Sequence, residues 1–150
     1  MVTLRKAEYY INKTGISKLP FYYYSLKLSR LRFKTGIDLP IDVAGPGLHI
    51  SHGKIVVSVH AHLGEHCKLM SDITIGTECR YDRFGAPQIG KRVFVGSGAR
   101  IIGDIKIADD VVIGANAVVV KDILEANTTW AGNPARKISN EGSYHFLNRQ

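Results

Sequence analysis

No run of apolar residues in this sequence approaches the roughly 20 that a membrane-spanning helix needs, and the first residues, Met1 to Lys6, lack the apolar stretch of a secretory leader. Cysteine is scarce: Cys67 and Cys79 are too few for a disulfide framework and have no metal-ligand spacing. These absences predict a reduced, cytoplasmic protein. A comfortable second domain is excluded by size, since 150 residues suit one domain with a real core. Acids are nearly missing from the first quarter. Residues 1–36 carry eight Lys or Arg against the single Glu8, whereas residues 37–150 carry twelve of each sign, so the net charge of +7 sits wholly at the amino-terminal end. A neutral body has no basic stripe to track a nucleic-acid backbone. The basic end reads as a solvated face on short helices, or as a contact for an anionic membrane surface or a phosphate-bearing substrate.

What the sequence does have is a period. From Val57 a branched aliphatic residue returns every six positions, at Val57, Leu63, Leu69 and Ile75, then at Ile89, Val95, Ile101, Ile107, Ile113 and Val119. Four residues after each stands a second uncharged series: Ala61, Cys67, Ile73, Cys79, Val93, Ala99, Ile105, Val111, Ala117 and Ile123. A period of six fits neither the 3.6 of a helix nor the 2 of an amphipathic strand. It predicts a triangular solenoid in which each six-residue unit makes one flat face and one corner, with both series stacked inward and coils of roughly 18 residues. Ile75 and Ile89 lie 14 residues apart, two more than a multiple of six, so Arg80 to Gln88 is expected to bulge from the coil. Upstream, Pro20 to Lys34 reads as a helix, with proline in its first turn and Gly36 after its basic end. The predicted organisation is a basic helical segment at 1–36, the solenoid at 37–130 with a loop at 80–88, and a closing segment and tail at 131–150.

The hexads, together with Ile101-Ile102-Gly103-Asp104-Ile105-Lys106-Ile107, Ile113-Gly114-Ala115-Asn116-Ala117-Val118-Val119 and Ala131-Gly132-Asn133-Pro134-Ala135-Arg136-Lys137-Ile138, resemble the hexapeptide-repeat acyltransferases. The run from Gly47 to Val57, Gly-Leu-His-Ile-Ser-His-Gly-Lys-Ile-Val-Val, is most similar to serine acetyltransferases, in particular short forms associated with surface-polysaccharide clusters. That resemblance implies an all-β fold, a left-handed parallel β-helix with a short amino-terminal helical segment. It implies an acetyl-CoA-dependent O-acetyltransferase acting as a homotrimer with active sites between subunits. The helical segment is short beside that of the longer relatives, so a hexamer is not expected.

Acetyl transfer to a hydroxyl requires a base for the proton, and histidine titrates near operating pH. Spacing alone does not choose among His49, His52, His60, His62, His66 and His145; the resemblance places the family's general base on His52. The aspartate that orients this base falls, on aligning Pro40 and Gly47-Leu48, at Ile37, with Asp38 one residue late. Asp38 is the expected partner, with Asp42 or a backbone carbonyl as alternatives. By the same resemblance Gly98, Ala99, Ala115 and Ala117 keep a path open for the pantetheine arm, although Ala99 and Ala117, on the inward series, also fit a narrow core. Gly132, Pro134, Arg136 and Lys137 match where the family meets the coenzyme, the last two as phosphate cations.

Acceptor recognition departs from the pattern. Ser51 stands where serine acetyltransferases have an aspartate, Ala86 where they have a histidine, and Gly85 where they have an arginine, with Asp82 and Arg83 nearby as substitutes. L-serine is the expected acceptor and a surface-polysaccharide sugar the alternative. A third reading comes from His60, His62 and His66, since γ-type carbonic anhydrases share the fold and bind zinc through histidines. Their close pair lies five apart and none here does, so no metal is expected.

Overall fold

The computed structural model describes residues 1–80 and 83–147. Its body is a coil that visits three parallel sheets in rotation. Face one holds Ile37–Asp38, Ile55–Val57, Ile73–Gly76, Arg100–Ile102 and Val118–Val119. Face two holds His62–Leu63, Gln88–Ile89 and Lys106–Ile107, and face three holds His49–Ile50, Lys68–Leu69, Phe94–Val95, Val112–Ile113 and Thr129–Ala131. Ile55 pairs with Ile73, Phe94 with Val112 and Gln88 with Lys106, so one circuit takes 18 residues. The six-residue period explains this circuit. Every aliphatic of the first series, from Val57 to Val119, is at most 3% exposed. Stacked in register they form one continuous core, and each fully buried Leu, Ile or Val contributes roughly 1.5–3 kcal/mol.

The circuit is altered twice. Between Ile75 and Ile89 the offset to the next coil grows from 18 to 26, as in Phe94 against Lys68 and Arg100 against Thr74. The insertion is therefore eight residues, not two, and begins before Arg80: Glu78–Arg80 and Arg83–Gly85 form an antiparallel hairpin at the corner between faces one and two. A count taken modulo six could not distinguish the two lengths. The second alteration conserves the circuit and redistributes it. His49 lies 19 residues from its partner Lys68, whereas Ile55 lies 18 from Ile73, so the corner Ser51–Lys54 holds one residue more than the corner below it. Gly53 makes that extra step at φ +85, and a Cβ there would meet Ser71 Cβ at 2.6 Å. His52 sits in this lengthened corner.

Two helices cover the first coil. α1 spans Val2–Ile11 and buries Leu4 and Ala7, inside the segment expected to be helical but with no bounds of its own in the sequence reading. α2 spans Leu19–Thr35 with proline in its first turn, and Gly36 at φ +71 closes it, its N–H donating to Arg32 O at 2.8 Å. Part of the basic excess is used inside the fold. Arg5 Nη1 donates to Ala44 O at 2.8 Å and Nη2 to Gly45 O, while Arg32 Nη2 donates to Leu39 O at 3.0 Å. At the other end Arg136–Ser139 returns antiparallel along Thr129–Ala131, and the short α3 (Tyr144–Leu147) lays Phe146 against Phe94, ring centroids 4.7 Å apart. Among the described residues no helix is long and apolar enough to cross a membrane.

Candidate active site

One corner of the coil carries the residues the sequence singles out. The register stacks Ser51–Lys54, Met70–Asp72, Gly96–Gly98, Gly114–Asn116 and Ala131–Asn133 at the turn from face three to face one. Ser71 Oγ donates to Ser97 Oγ at 3.1 Å, Gly98 N donates to Ser71 O and Asn116 N to Ser97 O, both at 2.8 Å, which knits the ridge together. His52, Gly98, Ala115 and Gly132 therefore share one ridge. Sheet spacing of about 4.8 Å per coil puts roughly 19 Å between its ends.

Two of the residues assigned to the coenzyme are buried. Ala99 and Ala117 are 0% exposed in the core. Their amide groups are also committed, Ala99 N to Gly96 O and Ala117 N to Gly114 O, with their carbonyls accepting from Thr74 N and Arg100 N. They shape the corner. Ala86, assigned to the acceptor, is likewise a core residue, 4% exposed. Asp82 lies outside the described residues, as does the side chain of Arg83.

His52 is exposed and lines a hollow of about 310 Å³ between the first coil and the helices. Leu4, Leu28, Leu31, Ile37, Leu39 and Ile50 give it apolar walls; Thr3, Thr35, Ser51 and Arg32 supply polar groups. Ile37 faces this hollow, and Asp38, the next residue on an extended strand, faces a separate one with Ser29, Phe33 and Gly36. The Asp38 carboxylate pairs with Arg32 Nη1 at 3.2 Å rather than with the imidazole. Ser51 Oγ donates to Met70 Sδ at 3.3 Å. The residue that sequence reasoning missed here is Arg32. It reads simply as part of a basic helix end, and no periodicity links position 32 to position 52.

At the far end Pro134, Arg136 and Lys137 line a second hollow of about 370 Å³ with Trp130 and Lys121. Lys137 Nζ is held by Glu125 Oε1 at 2.6 Å, while Arg136 makes no ion pair among the described residues. The remaining candidates do not converge. His49, His60, His62 and His66 are exposed, and the described residues contain no group of three or more His, Cys, Asp or Glu placed to hold a metal ion. Cys67 is a buried free thiol whose pKa burial pushes up to about 11.

Residues 86–121 match the family described as "Bacterial transferase hexapeptide (six repeats)". The serine acetyltransferase of Helicobacter pylori (strain ATCC 700392 / 26695) is 37% identical over 130 residues, 85% of this chain and 75% of that protein. The chain belongs to the serine acetyltransferase family. It is thereby an acyltransferase of the hexapeptide-repeat type. Among solved structures, serine acetyltransferase from Brucella abortus strain S19 in complex with coenzyme A superposes with a TM-score of 0.68 at 31% identity, over 94% of this chain and 55% of that one. The Neisseria gonorrhoeae enzyme in complex with serine gives 0.67 at 26% identity, over 91% and 54%. The chain thus spans little more than half the length of those two family members. Ser51 places a hydroxyl on the ridge, and Ala86 places a methyl in the core.

Proposed function

We propose that this chain transfers acetyl from acetyl-CoA to the hydroxyl of L-serine, on a left-handed parallel β-helix that assembles as a homotrimer. The observation that carries the reading is the single ridge joining His52, through Gly98, Ala115 and Gly132, to the hollow of Pro134, Arg136 and Lys137. Small residues along it leave room for an extended coenzyme, and the cations at its end suit phosphates. His52 takes the hydroxyl proton as the acceptor oxygen attacks the thioester carbonyl. The tetrahedral intermediate collapses, the C–S bond breaks, and the imidazolium returns its proton to the departing thiolate. A backbone N–H of the ridge serves the oxyanion. Holding both substrates in one cleft supplies most of the remaining acceleration.

The family resemblance supports sites completed by a neighbouring subunit. Val56 and Val120, 48% and 47% exposed near the outer side of face one, suit burial against that neighbour. An acetyl-CoA donor and the free thiol of Cys67 support a cytoplasmic setting. The test is coenzyme A release with L-serine as acceptor. His52→Ala should lower kcat by about 10²–10⁴ with coenzyme affinity and melting temperature little changed. Equal damage from His60→Ala would remove the assignment, and light scattering of a fully active monomer would remove the trimer. A sugar acceptor is the second reading, favoured by Ser51, Gly85 and Ala86. Turnover of nucleotide-sugars or simple glycosides, with none at millimolar serine, would establish it.

A further inference from the structure

The basic excess of the amino-terminal segment divides in two. Arg5 and Arg32 are tied to carbonyls of the first coil, whereas the side chains of Lys27, Arg30 and Lys34 enter no ion pair or hydrogen bond among the described residues. Spacings of three, four and seven bring residues onto one line along a helix. Those three cations form such a line on α2, and Leu19, Tyr22, Leu26 and Phe33 form the line beside it. All seven are exposed, Phe33 at 93%. The opposite side of α2 is occupied, since Leu28 packs on the core and Leu31 lines the His52 hollow. α2 contains no acid, and Asp38, which shares a hollow with Ser29 and Phe33, is already paired with Arg32 Nη1 at 3.2 Å.

A row of large apolar side chains in water is unfavourable, and the neighbouring cations limit what can cover it. A second copy would set Lys27, Arg30 and Lys34 against their own kind, with no acid on the helix to answer them. An acidic peptide would meet the cations and leave the apolar row in water. A lipid interface meets both rows together, anionic headgroups on the cations and the acyl boundary on Leu19, Tyr22, Leu26 and Phe33, with no demand for a matched shape. We propose that the outer side of α2 docks on an anionic membrane surface, lying in the plane of the headgroups. α2 rests on that surface and does not cross it. Its inner side stays on the coil, so the His52 hollow keeps its walls while the protein is held at the membrane. Docking does not depend on which acceptor is used.

The experiment is co-sedimentation of the full chain with vesicles, either phosphatidylcholine alone or equal parts phosphatidylcholine and phosphatidylglycerol, at about 0.1 M salt. The wild type should partition onto the anionic vesicles at least about tenfold better than onto the neutral ones, and lose that advantage in about 1 M salt. Lys27→Gln, Arg30→Gln and Lys34→Gln together should weaken anionic binding by about a hundredfold, three contributions of roughly fivefold each. Leu26→Ser with Phe33→Ser keeps every cation and should weaken it by at least about tenfold. Both variants change exposed residues, so their melting temperatures should stay close to that of the parent. Equal partitioning of the wild type onto the two kinds of vesicle, or unchanged binding of either variant, overturns the proposal. So does soluble polyglutamate that captures the wild type and the Leu26→Ser, Phe33→Ser variant alike while vesicles capture neither, which would make α2 a site for an acidic chain. Self-association in light scattering, abolished by the same pair of substitutions and without vesicle binding, would assign the face to a second copy instead.

Discussion

The corner from face two to face three and the corner from face three to face one both turn through left-handed residues, His66, Arg92, Asp110 and Asn127 in one and Asp72, Gly98 and Asn116 in the other. In the first, side chains close the surface on itself. Arg92 meets Asp110 through Nε and Nη2, both at 2.7 Å, which raises the arginine pKa further. Asp109 Oδ1 accepts from Lys91 N at 2.7 Å, and the His66 ring occupies the space a Cβ at Gly47 would need. In the second, the ridge is Ser71, Ser97, Ala115 and Gly132, bonded through backbone and short hydroxyls, with Arg100 Nη1 at its side donating to the carbonyls of Asp72 and Gly98. Backbone geometry is common to both corners. What separates them is side-chain volume, which favours the second corner for the proposed coenzyme.

Filling the open corner should erase the difference. Ala115 is exposed, so Ala115→Trp should fold with a melting temperature near that of the parent and raise the acetyl-CoA KM by about a hundredfold, roughly 2.7 kcal/mol. Unchanged coenzyme kinetics would show that the ridge is not the path. Beneath the closed corner, Cys67 donates its S–H to Gly90 O at 3.2 Å and is held neutral, its pKa raised by burial to about 11 from 9.0. A raised folded-state pKa gives stability that is complete below pH 9 and is lost as pH rises through 11. Between pH 8 and 11 the wild type should lose about 2 kcal/mol more than Cys67→Ala in urea unfolding. Parallel pH profiles would show that burial of the thiol does not govern the slope. The smallest effect belongs to the closed corner's surface pair. Asp110→Asn keeps a residue that tolerates positive φ, and should leave the coenzyme KM unaltered and shift the melting temperature by under about 2 °C. A marked loss of coenzyme binding there would contradict the division of labour between the corners.

The core was legible because six-residue periodicity reports inward-facing positions directly. All ten aliphatics of the first series are buried, as are the nine described members of the second. The period itself does not reach the first coil, whose inward residues Ala44, Ile50 and Val57 are spaced by six and then seven, so its place there rests on the resemblance. α1 has no side-chain N-cap to mark its start, so only the spacing of Leu4 and Ala7 announces it. At the site, the resemblance led to His52 and the small ridge residues. It did not indicate Ala86 as a core residue or Arg32 as a wall of the His52 hollow. Both are set by how non-repeating segments dock on the coil, and a period carries no information about them. The hydroxyl pair Ser71 and Ser97 was within reach, since each lies two residues after an aliphatic of the first series.

The treatment of the coil's two ends bears on how this protein behaves at high concentration. A stack of parallel strands exposes unpaired N–H and C=O groups on its first and last rungs, a template on which further strands add. Here side chains from the helices take the carbonyls of the first rung, Arg5 those of Ala44 and Gly45 and Arg32 that of Leu39. The amide of Asp42 is taken by Glu8 Oε1 at 3.2 Å. On the last rung, Arg136–Ser139 runs antiparallel along face three, and the carbonyl of Gly132 and the amide of Ala135 occupy the edge at Val118. An antiparallel strand interrupts a parallel ladder, so a second molecule finds no matching register to extend. The two end rungs are thus capped differently, by arginine side chains at one end and by an antiparallel strand at the other.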